Sequence, residues 1–182
     1  MAKLNVELVG MERLVSKLKS FGEKAEQETK SITKLVASDI ATEAKLTLRA
    51  NAYDLGNLAR SVTFEPKTPS LSTRIFAGGG VVNYAAYVEF GTGAKAVVPP
   101  ELSALASKFK GKGGKFKDGL EAIKDWCKRH GIDESAAYPI FMSILKKGLE
   151  PRPYMYPAYV KGRSEYIKML KEMIKRYGKD IS

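Results

Sequence analysis

The stretch that most constrains this chain is Tyr84 to Thr92, which reads YAAYVEFGT. Taken with the residues before it, it alternates. Val82, Tyr84, Ala86, Val88 and Phe90 fall on one face, and Asn83, Ala85, Tyr87 and Glu89 on the other. Period-two alternation of β-branched and aromatic residues is the pattern of a half-buried strand. Gly91 then supplies the backbone freedom to end it. The sequence therefore predicts a sheet organised around this strand.

The segments upstream read as cover for its apolar face. Leu4 to Val9 alternates and is a short strand candidate, broken by Gly10. Leu14, Leu18 and Phe21 recur at helical spacing up to Gly22. A second and stronger stripe follows in Ala25, Ile32, Leu35, Val36, Ile40, Ala44 and Leu48, one face of a long amphipathic helix that closes near Asn51. Asp54-Leu55-Gly56-Asn57-Leu58 is a turn into a first strand over 59–64, and 73–77 (TRIFA) returns as a second. Pro66 between them cannot donate to a ladder, so the first strand must end there or lie at an edge. Gly78-Gly79-Gly80 links to the opening stretch. It lacks the lysine and hydroxyl of a nucleotide loop and precedes a strand, so it reads as a turn.

Beyond Pro99-Pro100 lies KFKGKGGKFK (Lys108 to Lys117), predicted to be mobile because glycine and like charge leave little to bury. Two helical patterns follow, over 118–130 and 134–147, with Gly131 and Asp133 as stop and start signals. Pro139 is placed near the first turn of the second. Arg152 to Ala158 (RPYMYPA) is predicted to be extended or turn-like, because each proline disfavours helix in the residue before it. Pro157 then opens a last helix to about Tyr177, striped by Val160, Arg163, Ile167, Leu170, Ile174 and Tyr177. The expected fold class is α+β. An antiparallel sheet of three to four strands packs with a long N-terminal helix and a C-terminal helix, and a helical hairpin is inserted. Residues 1–182 form one domain, with a flexible loop and helical insertion at 99–150.

Composition narrows function more by exclusion than by assignment. A net charge of +11 favours polyanionic neighbours or an acidic protein surface. No uninterrupted apolar run is long enough to cross a bilayer, so no membrane partner is expected. MAKLNVELVG lacks the apolar core of a signal peptide, which places synthesis and use in a cytosol. The single cysteine, Cys127, excludes an internal disulfide framework, and the lone His130 leaves little for a metal site. Cys127 and His130 share a helical stripe with Leu120 and Ile123, which favours burial over a nucleophilic pair. No catalytic residue, metal or cofactor is expected.

Three pieces in order, DLGNLARSV (Asp54 to Val62), YAAYVEFGT (Tyr84 to Thr92) and RPYMYPA (Arg152 to Ala158), resemble the signature blocks of a bacteriophage tail-component family. These are the neck or tail-completion proteins of long-tailed phages. The long helix before the first block and the helix after the third are similar too. Leu55 departs from the small polar residue, usually threonine, of that pattern, and Tyr154 from its phenylalanine. The resemblance implies a structural, non-enzymatic protein of a phage or prophage, located in the virion neck or tail and in the host cytoplasm during assembly. It implies a ring that joins the head connector to the tail, with other neck and tail proteins and copies of itself as partners. When free, the protein is expected to be a monomer.

On that reading the docking candidates are Tyr87, Glu89, Arg152, Tyr154 and Tyr156, with Lys108, Lys110, Lys112, Lys115 and Lys117 of the basic loop. Aromatic residues anchor interfaces. Tyr84 and Phe90 read instead as core. Glu89, on the face opposite Phe90, is placed to pair with Arg60, Arg74 or Arg152. The alternative is a basic, sequence-non-specific nucleic-acid-binding protein, in which lysines contact phosphates and Phe109 and Phe116 stack on bases. In a ring, the same loop could meet DNA in the channel.

Overall fold

The computed structural model describes residues 4–7, 22–52, 56–67, 70–79, 82, 84–106 and 116–179. In chain order its elements are β1 (Leu4–Glu7), α1 (Glu23–Asn51), α2 (Asn57–Ser61), β2 (Thr63–Lys67), β3 (Ser72–Ala77), α3 (Ala85–Phe90), α4 (Ser103–Ala106), α5 (Phe116–Arg129), α6 (Ala137–Lys147) and α7 (Met155–Lys179). Short 3-10 turns occur at Gly93–Lys95, Pro100–Leu102 and Glu134–Ala136. The chain divides into two units, Met1–Ala85 with Pro153–Ser182, and Ala86–Arg152.

Two long helices organise the first unit. α1 follows Gly22 and buries Ala25, Ile32, Val36, Ala37, Ile40, Ala41, Ala44 and Leu48. Leu35, expected in the stripe, is exposed, because it falls outside the arc covered by the neighbouring elements. α7 runs antiparallel to α1: Met173 lies by Thr29, Tyr166 by Thr33, and Gly162 by Val36 and Ile40. The buried face of α7 is Met155, Ala158, Gly162, Tyr166, Leu170 and Met173. Of the expected stripe, Leu170 is buried and Tyr177 donates to Glu28 of α1 at 3.0 Å, whereas Val160, Arg163 and Ile167 are exposed. Thr29 and Thr33 are buried in α1 without an orphaned hydroxyl, since each donates back to the carbonyl one turn earlier, at 2.7 and 2.8 Å.

The sheet of this unit is the β2–β3 hairpin, with the four-residue β1 along the other edge of β3, antiparallel throughout in the order β1-β3-β2. Thr73, Ile75 and Ala77 alternate inward beneath α1. Pro66 sits in β2, the edge strand, where its missing donor costs no ladder bond to a further strand. The first part of the expected strand 59–64 is instead the helical turn α2, entered from Gly56 at φ 71. Ser61 at its end accepts a hydrogen bond from Gly78 N at 3.0 Å, tying the first block to the end of β3. Asp54 and Leu55 lie outside the described residues.

The expected architecture, centred on a sheet of three to four main strands, is thus overturned, although helices beside a small antiparallel sheet remain roughly α+β. Most of the described residues are helical, the strands are short, and the stretch expected as the central strand is the helix α3. The physical reason lies in its composition. Alanines and Glu89 favour helix, and an apolar run this short reads equally as strand or buried helix. Burial decides it: Ala85, Ala86, Glu89 and Phe90 are covered while Tyr87 and Val88 are half-exposed, a helical period. Glu89 and Phe90 therefore share the buried side instead of facing oppositely.

The second unit holds α3 to α6. α5 and α6 form the expected helical hairpin, with Gly119 lying against the ring of Phe141 and with Cys127, Ala137 and Phe141 buried. Asp133 caps the connection by accepting from Ser135 N at 2.8 Å, which lowers its carboxyl below the ordinary value. His130, expected on the buried stripe, lies past the end of α5. It is exposed and stacks on Trp126 at 4.6 Å between ring centroids.

Candidate functional site

The second unit brings the end of YAAYVEFGT against the residues that lead into RPYMYPA. α3 ends in a glycine C-cap: Gly91, at φ 71, donates to Tyr87 O at 3.0 Å. Two further carbonyls of its last turn are also satisfied. Arg152 N donates to Val88 O at 2.7 Å, and Val97 N to Phe90 O at 2.9 Å. Thr92 N donates to Leu149 O at 3.0 Å, and Leu149 N donates to Thr92 Oγ1 at 2.8 Å. Lys95 Nζ lies 2.8 Å from Glu150 Oε1, and that hydrogen bond holds the exposed Glu150 carboxyl below its ordinary value.

This interlock depends on two glycines. A Cβ on Gly91 would stand 2.6 Å from Leu149 O and 2.9 Å from Pro151 N. A Cβ on Gly148, at φ 79, would collide with the Thr92 carbonyl. Both residues thus combine left-handed backbone with close approach of another chain segment. Thr92 closes the second block, but Lys95, Gly148, Leu149 and Glu150 were not singled out by the sequence. The only signal for them was the glycine at the start of GLEP, which mirrors Gly91 in FGT.

The candidate docking residues separate by exposure. Tyr87 and Tyr156 are half-exposed and Arg152 is exposed, so these three can touch a partner. Tyr154 and Glu89 are buried and act on the fold. The Tyr154 hydroxyl makes a long hydrogen bond, 3.5 Å, to Ala85 O within the first unit. RPYMYPA itself is split: 152–154 belongs to no helix or strand, and Met155 already begins α7, so Pro157 sits in the first turn of the helix and not at its first residue. Lys108, Lys110, Lys112 and Lys115 lie outside the described residues, whereas Lys117 is within α5.

The arrangement is built from backbone hydrogen bonds, aromatic rings and glycines, and it holds a surface in shape. Among the described residues no group of three or more His, Cys, Asp or Glu could hold a metal ion. No helix among them is long and apolar enough to cross a membrane. Cys127 is buried in α5, whereas His130 is exposed.

Residues 12–91 match the family model described as "Bacteriophage HK97-gp10, putative tail-component". The match spans α1 to α3 and so contains the first block and all but the last residue of the second. The third block, with α5 and α6, lies beyond it. No curated protein and no solved structure matches the chain.

Proposed function

We propose that this protein is a structural component of a phage neck or tail, assembling as a ring that joins the head connector to the tail and performing no covalent chemistry. The observation that carries the reading is the tail-component match over 12–91, which covers α1 and most of two of the three blocks. The interlock at Thr92 and Leu149 supports it, because the polypeptide there is fixed by main-chain hydrogen bonds and presents Arg152 at the surface beside half-exposed Tyr87. Preorganised surfaces lose little entropy on docking. Tyr87, Arg152 and Tyr156 contact adjacent virion proteins, and buried Glu89 and Tyr154 hold the elements that carry them. The lysines between 108 and 117 reach an acidic patch on a neighbouring ring in preference to DNA, since a channel wall that grips phosphates would slow genome passage. In this reading 99–150 is an elaboration on one tail-component domain.

The test is loss of function during assembly. Particles made without this protein should accumulate as filled heads and separate tails, and supplying the protein should join them. Normal joined particles in its absence would overturn the proposal.

A further inference from the structure

The α1–α7 pair has two flanks, and both carry exposed aliphatic residues. Glu28 with Arg176, and Glu43 with Lys161, form ion pairs along one flank. Leu35 lies two helical turns beyond Glu28 on α1, and Leu46 two turns beyond Asp39, so all three belong to this flank. Leu35 is 50% and Leu46 53% exposed. On α7 the buried row of Gly162, Tyr166 and Met173 separates the ion-pair row from Val160 and Ile167, which are two turns apart on the opposite flank. These are 46% and 37% exposed. Single exposed aliphatics are ordinary, whereas two pairs on opposite sides of one helix pair are the geometry of a head-to-tail contact.

Register and charge match the two flanks to each other. Because Thr33 meets Tyr166 and Gly162 meets Val36 and Ile40, Leu35 stands level with Ile167 and Asp39 with Arg163. Leu46 lies between one and two turns beyond the level of Val160. Asp39 and Arg163 are exposed, and neither has an ion-pair partner among the described residues. A rotation about an axis parallel to the helix pair therefore sets apolar against apolar and carboxylate against guanidinium. A two-fold contact would join one flank to itself and leave Asp39 and Arg163 on different faces. We propose that the protein joins a second copy of itself head to tail through these flanks, Leu35, Asp39 and Leu46 of one subunit meeting Ile167, Arg163 and Val160 of the next. This rests on the ring reading above and names the contact that closes the ring.

The experiment is cross-linking in the particles into which the protein assembles. Chains carry Leu35→Cys with Ile167→Cys, or either alone, and are treated with a short bismaleimide. Both positions are exposed, and native Cys127 is buried. The double variant should give a ladder of covalent trimers and larger species, and each single variant only monomer. Asp39→Arg should lower the ladder yield several-fold, and Arg163→Asp in the same chain should restore it. Dimers from either single variant would show two-fold packing and overturn the proposal. Multi-copy particles without a ladder, or a yield indifferent to the charge changes, would overturn these flanks and leave the ring standing. A single copy per particle would overturn the ring reading, and this inference with it.

Discussion

Thr92 holds Leu149 by both of its donor and acceptor groups: its backbone N–H donates to Leu149 O at 3.0 Å, and its Oγ1 accepts from Leu149 N at 2.8 Å. One residue of the second block thus replaces a rung of sheet for a segment that belongs to no strand. Thr92→Val keeps the shape and removes the acceptor, leaving Leu149 N–H without its partner. The expected cost is about 1 kcal/mol, the net worth of a typical hydrogen bond. Thr92→Ser should retain most of the stability. Urea denaturation of the two variants checks this, and equal midpoints would show that the hydroxyl contributes nothing.

At Gly162 the backbone of α7 lies close against Ile40 of α1. A methyl group there would stand 2.6 Å from Ile40 Cδ1 and closer still to its Cγ1, well inside van der Waals contact distance. Gly162→Ala should therefore destabilise by roughly 1 to 3 kcal/mol, the range for overpacking a tight core, despite the better helix propensity of alanine. Ile40→Val removes one of the offending atoms. The double variant should be less destabilised than the sum of the two single changes, and strict additivity in thermal melts would refute the contact.

That same interface explains what the sequence could and could not reveal. α1 was legible because Ala25, Ile32, Val36, Ile40, Ala44 and Leu48 repeat at helical spacing and are buried together. The return strand at 73–77 and the helical hairpin were legible from alternation and stop signals. Most of the inward face of α7 was not, because Thr29, Thr33, Val36 and Ile40 of α1 are met by Met173, Tyr166 and Gly162, which form no aliphatic stripe. Val160 and Ile167 supplied a stripe, and it points outward. At Tyr84 to Phe90 nearly every side chain is apolar or aromatic, so parity carried no information about which face is covered. The Gly91 cap and the carbonyl partners from Arg152 and Val97 are tertiary, and no local pattern announces them.

Glycine geometry at the interlock gives an expectation that propensity alone would not. At Gly148, φ 79 and the Thr92 carbonyl both oppose a side chain. Gly148→Ala should cost more than about 1 kcal/mol, beyond the entropy gained in the unfolded chain. Gly131, also at positive φ but with open space around its Cβ position, is the control. If both substitutions cost the same, the close approach to Thr92 is unimportant and only the backbone angle matters.

Tyr166 gives the fold a sensitivity to alkali. Burial raises its phenol above the ordinary value of 10.0, offset in part by the hydrogen bond with Thr33. A group held protonated in the folded state stabilises fully below its unfolded pKa and loses that contribution as pH rises through the folded one. Stability should therefore decline above pH 10, with Tyr166 among the groups responsible. Tyr166→Phe cannot ionise, and its stability should fall less steeply over that range although it lacks the bond to Thr33. Identical slopes for both proteins would exclude Tyr166 from the effect.

Net charge sets the conditions under which copies of this chain can meet. At +11, each approach is opposed by a field that extends over roughly 10 Å at 0.1 M salt and about 30 Å at 0.01 M. The flank contact is small and mainly aliphatic, with one Asp–Arg row, so screening weakens the repulsion of the whole surface more than it weakens the contact. Isolated protein should therefore sediment as a monomer at low salt and shift toward larger species as salt rises. Val160→Asp, placed in the apolar row, should abolish that shift while leaving the monomer folded. A stable multimer already present at low salt would contradict the argument from net charge. A salt-driven shift that survives Val160→Asp would place the contact elsewhere on the surface.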